Sequence, residues 1–72
     1  MGSKFPILSS REIIKALGQA KFEKISQRGS HVKFSNGTRI CIVPMHDEVA
    51  RGTLKAILEQ ADLTLDEFME LL

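Results

Sequence analysis

KFEKISQRGSHVKFSNGTRICIV, residues 21–43, alternates short runs rich in β-branched and aromatic side chains with turn-forming residues. Phe22 to Gln27, His31 to Ser35 and Thr38 to Val43 read as strands, separated by Arg28-Gly29-Ser30 and by Asn36-Gly37. Three short strands with tight connections predict an antiparallel meander. Asn36-Gly37 is a strong hairpin signal. A two-residue loop there pairs Phe34 with Arg39 and Val32 with Cys41, which sets Ile40 and Ile42 on the opposite face from Val32 and Phe34. A three-residue loop with a bulge pairs Phe34 with Ile40 and Val32 with Ile42, gathering all four on one apolar face. The bulged turn is the preferred reading, and it leaves His31, Lys33, Arg39 and Cys41 on the other face.

Helical signals flank this stretch. Ser9 followed by Glu12 makes a capping box, and Leu8 with Ile13 supplies the hydrophobic staple. Ile13, Ile14 and Leu17 share one face, and Gly18 is a natural terminator, so a helix is expected over 10–17. Pro44 should end the third strand. A loop through His46, Asp47 and Glu48 then leads to Gly52-Thr53. Leu54, Ile57, Leu58 and Ala61 recur at the spacing of a core-facing helical stripe. Thr64 with Glu67, and Leu63 with Phe68, repeat the box and the staple and predict a third helix over about 65–71. The expected fold is α+β, in the order α-β-β-β-α-α, with helices on one face of a three-stranded sheet. It is read as one domain over 1–72, with an extension at 1–7, a core at 8–61 and a short C-terminal helix at 62–72.

A chain of 72 residues buries only about 60% of the surface its unfolded form exposes, so its core is thin. A single cysteine, Cys41, rules out an internal disulfide and leaves too few ligands for a thiolate zinc site. A reducing, cytoplasmic setting fits best. No apolar run approaches a membrane span, and Met1-Gly2-Ser3-Lys4-Phe5-Pro6 lacks both a signal-like apolar stretch and the Ser or Thr of a myristoylation start. No membrane partner is expected. The net charge of +1 conceals a division: residues 1–39 carry eight cationic side chains against two carboxylates, and residues 40–72 two against seven. A basic half of this kind suits an anionic polymer.

The inventory for chemistry is two histidines, one cysteine and a basic sheet. No Gly-rich phosphate loop, Gly-x-Ser-x-Gly or metal-ligand cluster is present, so most enzyme classes and all cofactors drop out. Imidazole, with an unperturbed pKa of about 6.5, remains as a general acid or base acting on a polyanion. His31 follows Gly29-Ser30 at a strand start, between Arg28 and Lys33, where cations and backbone N–H groups can hold a phosphate. A lone strand histidine is nonetheless usually a solvated surface residue, and His46 on its loop has the same plain reading. Cys41 paired with His31 as nucleophile and base is the weaker alternative, because a strand cysteine is usually packing. Few aromatics are free for base stacking, so nucleic-acid contact would rest on phosphates.

Arg28-Gly29-Ser30-His31-Val32-Lys33-Phe34, Val43-Pro44-Met45-His46 and Gly52-Thr53-Leu54-Lys55-Ala56-Ile57-Leu58 together resemble the HicA family of toxins. Gly-Ser-His alone carries no weight. The ordered set of Gly-Ser-His, Val-Pro-x-His, Gly-Thr-Leu-x-x-Ile-Leu and Ala-x-Leu is specific, and the likeness covers nearly the whole chain. The resemblance implies a fold like that of double-stranded RNA-binding domains, metal-independent endoribonuclease activity on mRNA, and a HicB-type antitoxin that masks the site. It maps the catalytic histidine onto His31. Many members carry a second histidine directly afterwards, where this chain has Val32, so no role carries over to that neighbour. Ala61-Asp62-Leu63 stands where Ala-Gly-Leu is common, a departure that touches helix termination and not chemistry. Arg28, Gly29, Ser30, Lys33 and Arg39 are the expected RNA contacts, and His46 or Lys33 the expected general acid. The rival readings are a non-catalytic RNA-binding module of the same fold and an inactive toxin relative acting as an interaction domain.

Overall fold

Three antiparallel strands, β1 (Glu23–Arg28), β2 (His31–Ser35) and β3 (Ile40–Pro44), form one sheet in the order β1-β2-β3. Helix α1 (Ser10–Gln19) precedes them, and α2 (Arg51–Ala61) and α3 (Leu65–Leu71) follow, so the chain has the expected α-β-β-β-α-α order. This computed structural model describes residues 5–72; residues 1–4, on which part of the reading of the N-terminus rests, lie outside it. Among the described residues no helix is long and apolar enough to cross a membrane.

The helix starts follow from local chemistry. Ser9 accepts the Glu12 backbone N–H at 3.2 Å while the Glu12 carboxylate takes the Ser9 N–H at 2.9 Å, and Thr64 with Glu67 repeats both bonds at 3.0 and 2.9 Å. Each box satisfies two N–H groups that a helix terminus otherwise leaves unpaired. The ends differ from expectation at α1. Gly18 lies inside the helix, and Lys21 adopts the left-handed conformation at φ +72°. The reason is Phe22. Its N–H bonds the Leu17 carbonyl at 3.0 Å and that of Lys21 bonds Gly18 at 3.0 Å, a Schellman closure that swings the Phe22 ring into the core. Asp62 takes the same left-handed position after α2, at φ 60°, with Leu63 bonded back to Leu58 at 2.9 Å.

The hairpin between β2 and β3 corrects the preferred register. Val32 pairs with Val43, Phe34 with Cys41 and Ser35 with Ile40, so neither the bulged three-residue loop nor a loop centred on Asn36-Gly37 is formed. The turn is centred one residue later, on Gly37-Thr38. Asn36 N–H donates to the Arg39 carbonyl at 3.2 Å, and the Asn36 side chain accepts the N–H groups of Thr38 and Arg39 at 2.9 and 2.7 Å. Gly37, at φ +95°, supplies the left-handed first position of that turn. Cys41 and Val43 are consequently buried, whereas Ile40 and Ile42 are 52% and 40% exposed beside His31 and Lys33. The run Ile40-Cys41-Ile42-Val43 is apolar throughout, so its pattern could not decide which alternate pair faced inward.

The covered face of the sheet (Val32, Phe34, Cys41, Val43) packs against Ile13 and Leu17 of α1, Leu54 and Ile57 of α2, and Phe68 of α3 in one core. The edge strand β1 is exposed along its whole length and bulges between Lys24 and Ser26, a feature that discourages edge-to-edge pairing. The opposite edge is stitched to α2 instead: the Gln60 side chain accepts the Ile42 N–H at 2.9 Å.

Candidate functional site: a groove at the head of the central strand

His31 opens β2, directly opposite Arg28 of β1 on one side and Pro44 of β3 on the other. Gly29 and Ser30 form the two-residue connection between β1 and β2, and Gly29, at φ +59°, holds the left-handed position that lets so short a loop close. The turn therefore delivers an exposed imidazole at the head of the central strand. Lys33 follows two residues later on the same face, about 7 Å along the strand.

Pro44-Met45-His46 lies against this turn. The Met45 N–H donates to the Ser30 carbonyl at 2.7 Å, which extends the β2–β3 contact by one bond beyond the ladder. The chain then bends so that His46 and His31 line one open groove of about 600 Å³, with Ile42 and Pro44 from β3 and Thr53 and Gln60 from α2. A second depression, of about 560 Å³, adjoins it on the other side of His31 and is lined by Arg28, Lys33, Ser26, Gln27 and Ile42. His31 thus lines both concavities, one flanked by cations and the other by a second imidazole and by Glu48. Helix α2 begins at the groove wall with no side-chain cap at Ala50 and no acidic residue in its first turn. Its N-terminal N–H groups and dipole favour negative charge at that end.

The structure brings together Arg28, Gly29, Ser30, His31, Lys33 and His46, but not Arg39. Arg39 belongs to the far hairpin, beyond the opposite end of β2 and roughly 16 Å of strand from His31. Its guanidinium turns to α2, donating to the carbonyls of Gln60 and Glu59 at 3.3 and 3.4 Å. Cys41 is removed from the candidates altogether. It is fully buried on the face opposite His31, and burial pushes its thiol up to about 11, away from the thiolate a nucleophile needs. Among the described residues, no three His, Cys, Asp or Glu side chains gather as a metal ion would require.

Two participants had no assigned part in the sequence. Thr53 and Gln60 wall the groove from α2, and only the presence of Thr53 in the Gly52-Thr53-Leu54 segment pointed towards it. Residues 31, 46 and 53 are distant in the chain and meet only because the hairpin returns β3 beside β2 and α2 packs across its end. A sequence model of the HicA toxin of bacterial toxin–antitoxin systems matches residues 10–63, from the first turn of α1 to the residue after the α2 terminator. No curated protein sequence matches the chain.

Proposed function

The chain belongs to the HicA family of toxins from bacterial toxin–antitoxin systems, and from that premise we propose that it is an endoribonuclease that cleaves mRNA without a metal ion, with His31 as general base. The observation that carries the reading is convergence: His31, His46 and Thr53 line one groove although they are far apart in sequence, with Met45 bonded to Ser30 beside it.

In the proposed reaction a ribose 2′-hydroxyl gives its proton to His31, and its oxygen attacks the adjacent phosphorus. The bond from phosphorus to the 5′-oxygen breaks, leaving a 2′,3′-cyclic phosphate and a 5′-hydroxyl, and the leaving oxygen takes a proton from His46, with Lys33 as the alternative donor. Positioned proton transfer contributes typically about 10²–10⁴-fold. In this proposal Arg28, Lys33 and the Gly29-Ser30 backbone N–H groups stabilise the negative charge that develops on phosphate. Arg39, at the other end of the sheet, would contact only a longer strand of RNA.

The family membership implies an antitoxin partner, and a HicB-type protein covering the His31 face is the form proposed here. Ile40 and Ile42 stand exposed on that face beside Lys33. A partner with acidic and apolar side chains would complement them, and its association should slow as salt rises.

The test is cleavage of a long single-stranded RNA by wild type and His31→Ala, each with and without EDTA, with the product ends determined. Cleavage that survives EDTA, yields 5′-hydroxyl ends and is lost in the variant supports the reading. Products with 5′-phosphates, or activity abolished by chelator, sink it. RNA binding without cleavage by wild type would leave a binding module of the same fold.

A further inference from the structure

Ser10 is 2% exposed, the one buried polar side chain among the described residues, and its hydrogen bonds do not serve its own helix. The capping role at α1 belongs to Ser9. The Ser10 hydroxyl instead reaches across the chain to the segment after β3: it accepts the His46 N–H at 2.6 Å and lies 2.5 Å from the Pro44 carbonyl and 2.9 Å from that of His46. Its backbone N–H donates to the same His46 carbonyl at 3.0 Å. One side chain therefore meets the main chain on both sides of Met45, while Met45 itself is held to Ser30, the residue before His31.

We propose that Ser10 is a positioning residue, whose hydroxyl fixes the Pro44–His46 segment so that the His46 imidazole faces His31 across the groove. The role rests on the nuclease reading above. The segment has left the sheet ladder after Pro44, so its conformation depends on these few bonds. Without the hydroxyl, the His46 N–H loses its acceptor and the Pro44 carbonyl its donor, while the Met45–Ser30 bond and the β2–β3 pairing that set His31 stay in place. The loss falls on one side of the groove only. A misplacement of about 1 Å of a reacting group can lower a rate roughly 100-fold, which makes a buried hydroxyl outside the groove consequential for chemistry within it.

The test is a double-mutant cycle on RNA cleavage with Ser10→Ala and His46→Ala, read as kcat and KM, with amide hydrogen exchange on the same proteins. Ser10→Ala should lower kcat by roughly 10–100-fold with KM little changed, and should add almost nothing in the His46→Ala background. His46 N–H should exchange at least about tenfold faster in Ser10→Ala, with Met45 N–H unaffected. If Ser10→Ala does not fold, Ser10→Cys, of similar shape but with a thiol too weak a donor and acceptor to replace the hydroxyl's bonds, should show the same non-additive fall. Equal losses in both backgrounds, a loss in KM alone, unchanged exchange at His46, or wild-type kcat in the cysteine variant would each overturn the role of Ser10. Absence of cleavage by wild type would overturn the nuclease reading, and this role with it.

Discussion

Val32 lies directly opposite Val43 across the β2–β3 ladder, and both are buried. That pairing fixes which side of β3 packs on the helices, and it makes neighbouring residues unequal in a measurable way. Val43→Thr places a hydroxyl in the core with no partner and should destabilise the protein by about 1–3 kcal/mol. Ile42→Thr, on the outer face, should stay within about 0.5 kcal/mol of wild type. Urea unfolding of the two variants decides the point, and the reverse order of losses would restore the bulged register.

Asp62 occupies the left-handed position after α2 and also places a negative charge at the helix end whose dipole disfavours it. Asp62→Gly removes both penalties and gives back part of the gain through a freer unfolded chain. The expected outcome is a net stabilisation of about 0.5–1 kcal/mol, seen as a higher urea midpoint at unchanged m-value. Asp62→Ala, which keeps the strain, should not reach the glycine variant.

Cys41 offers a pH signature. Its folded-state value of about 11 stands above the ordinary 9.0, because burial disfavours the thiolate. For an acid with a raised folded value, the folded state holds its proton longer. The associated stability is therefore complete below pH 9 and declines as pH rises through 11. At about 1.36 kcal/mol per unit, the loss is of order 2–3 kcal/mol. Subtracting the stability–pH curve of Cys41→Ala from that of wild type isolates it from lysine titration. Parallel curves between pH 9 and 11 would show that the thiol ionises as freely folded as unfolded.

Two proposed phosphate contacts, Lys33 near His31 and Arg39 at the far hairpin, should behave differently on a short single-stranded RNA centred on His31. Lys33→Ala should reduce the slope of log affinity against log salt by about 0.7, the value for one phosphate neutralised on a single strand. Arg39→Ala should leave the slope unchanged, since its guanidinium faces the carbonyls at the end of α2. A salt titration by fluorescence anisotropy distinguishes them, and equal slopes in both variants would place the strand along the whole sheet.

Features whose causes are local in the chain were legible before the fold. Ser9 with Glu12 and Thr64 with Glu67 announce helix starts because the bonding partners sit three residues apart. His31 to Ser35 was read with its observed bounds, since turn residues stand on both sides of it. The hairpin register was not legible: an unbroken apolar run along β3 carries no alternation, and the choice fell to an Asn36 side chain whose bonds appear only in the closed turn. The left-handed Lys21 was hidden for a similar reason, because Gly18 is the better local terminator and the core's demand for Phe22 overrides it. At the groove, His31 stood out through its neighbours and a motif. Ser10 had no signal at all, being the second of two serines at a helix start, with partners 34 and 36 residues away.

The groove is walled by His31 at the head of β2, by the segment after β3 and by α2, which sets an order in time as well as in space. A ribosome making the chain from its N-terminus releases His31 well before Thr53, and at about 5–20 residues per second the interval is roughly one to four seconds. Throughout it, the imidazole is attached to a chain that has not yet formed the opposing wall. On the nuclease reading proposed above, the growing chain would lack a complete site until α2 has emerged and folded against β3.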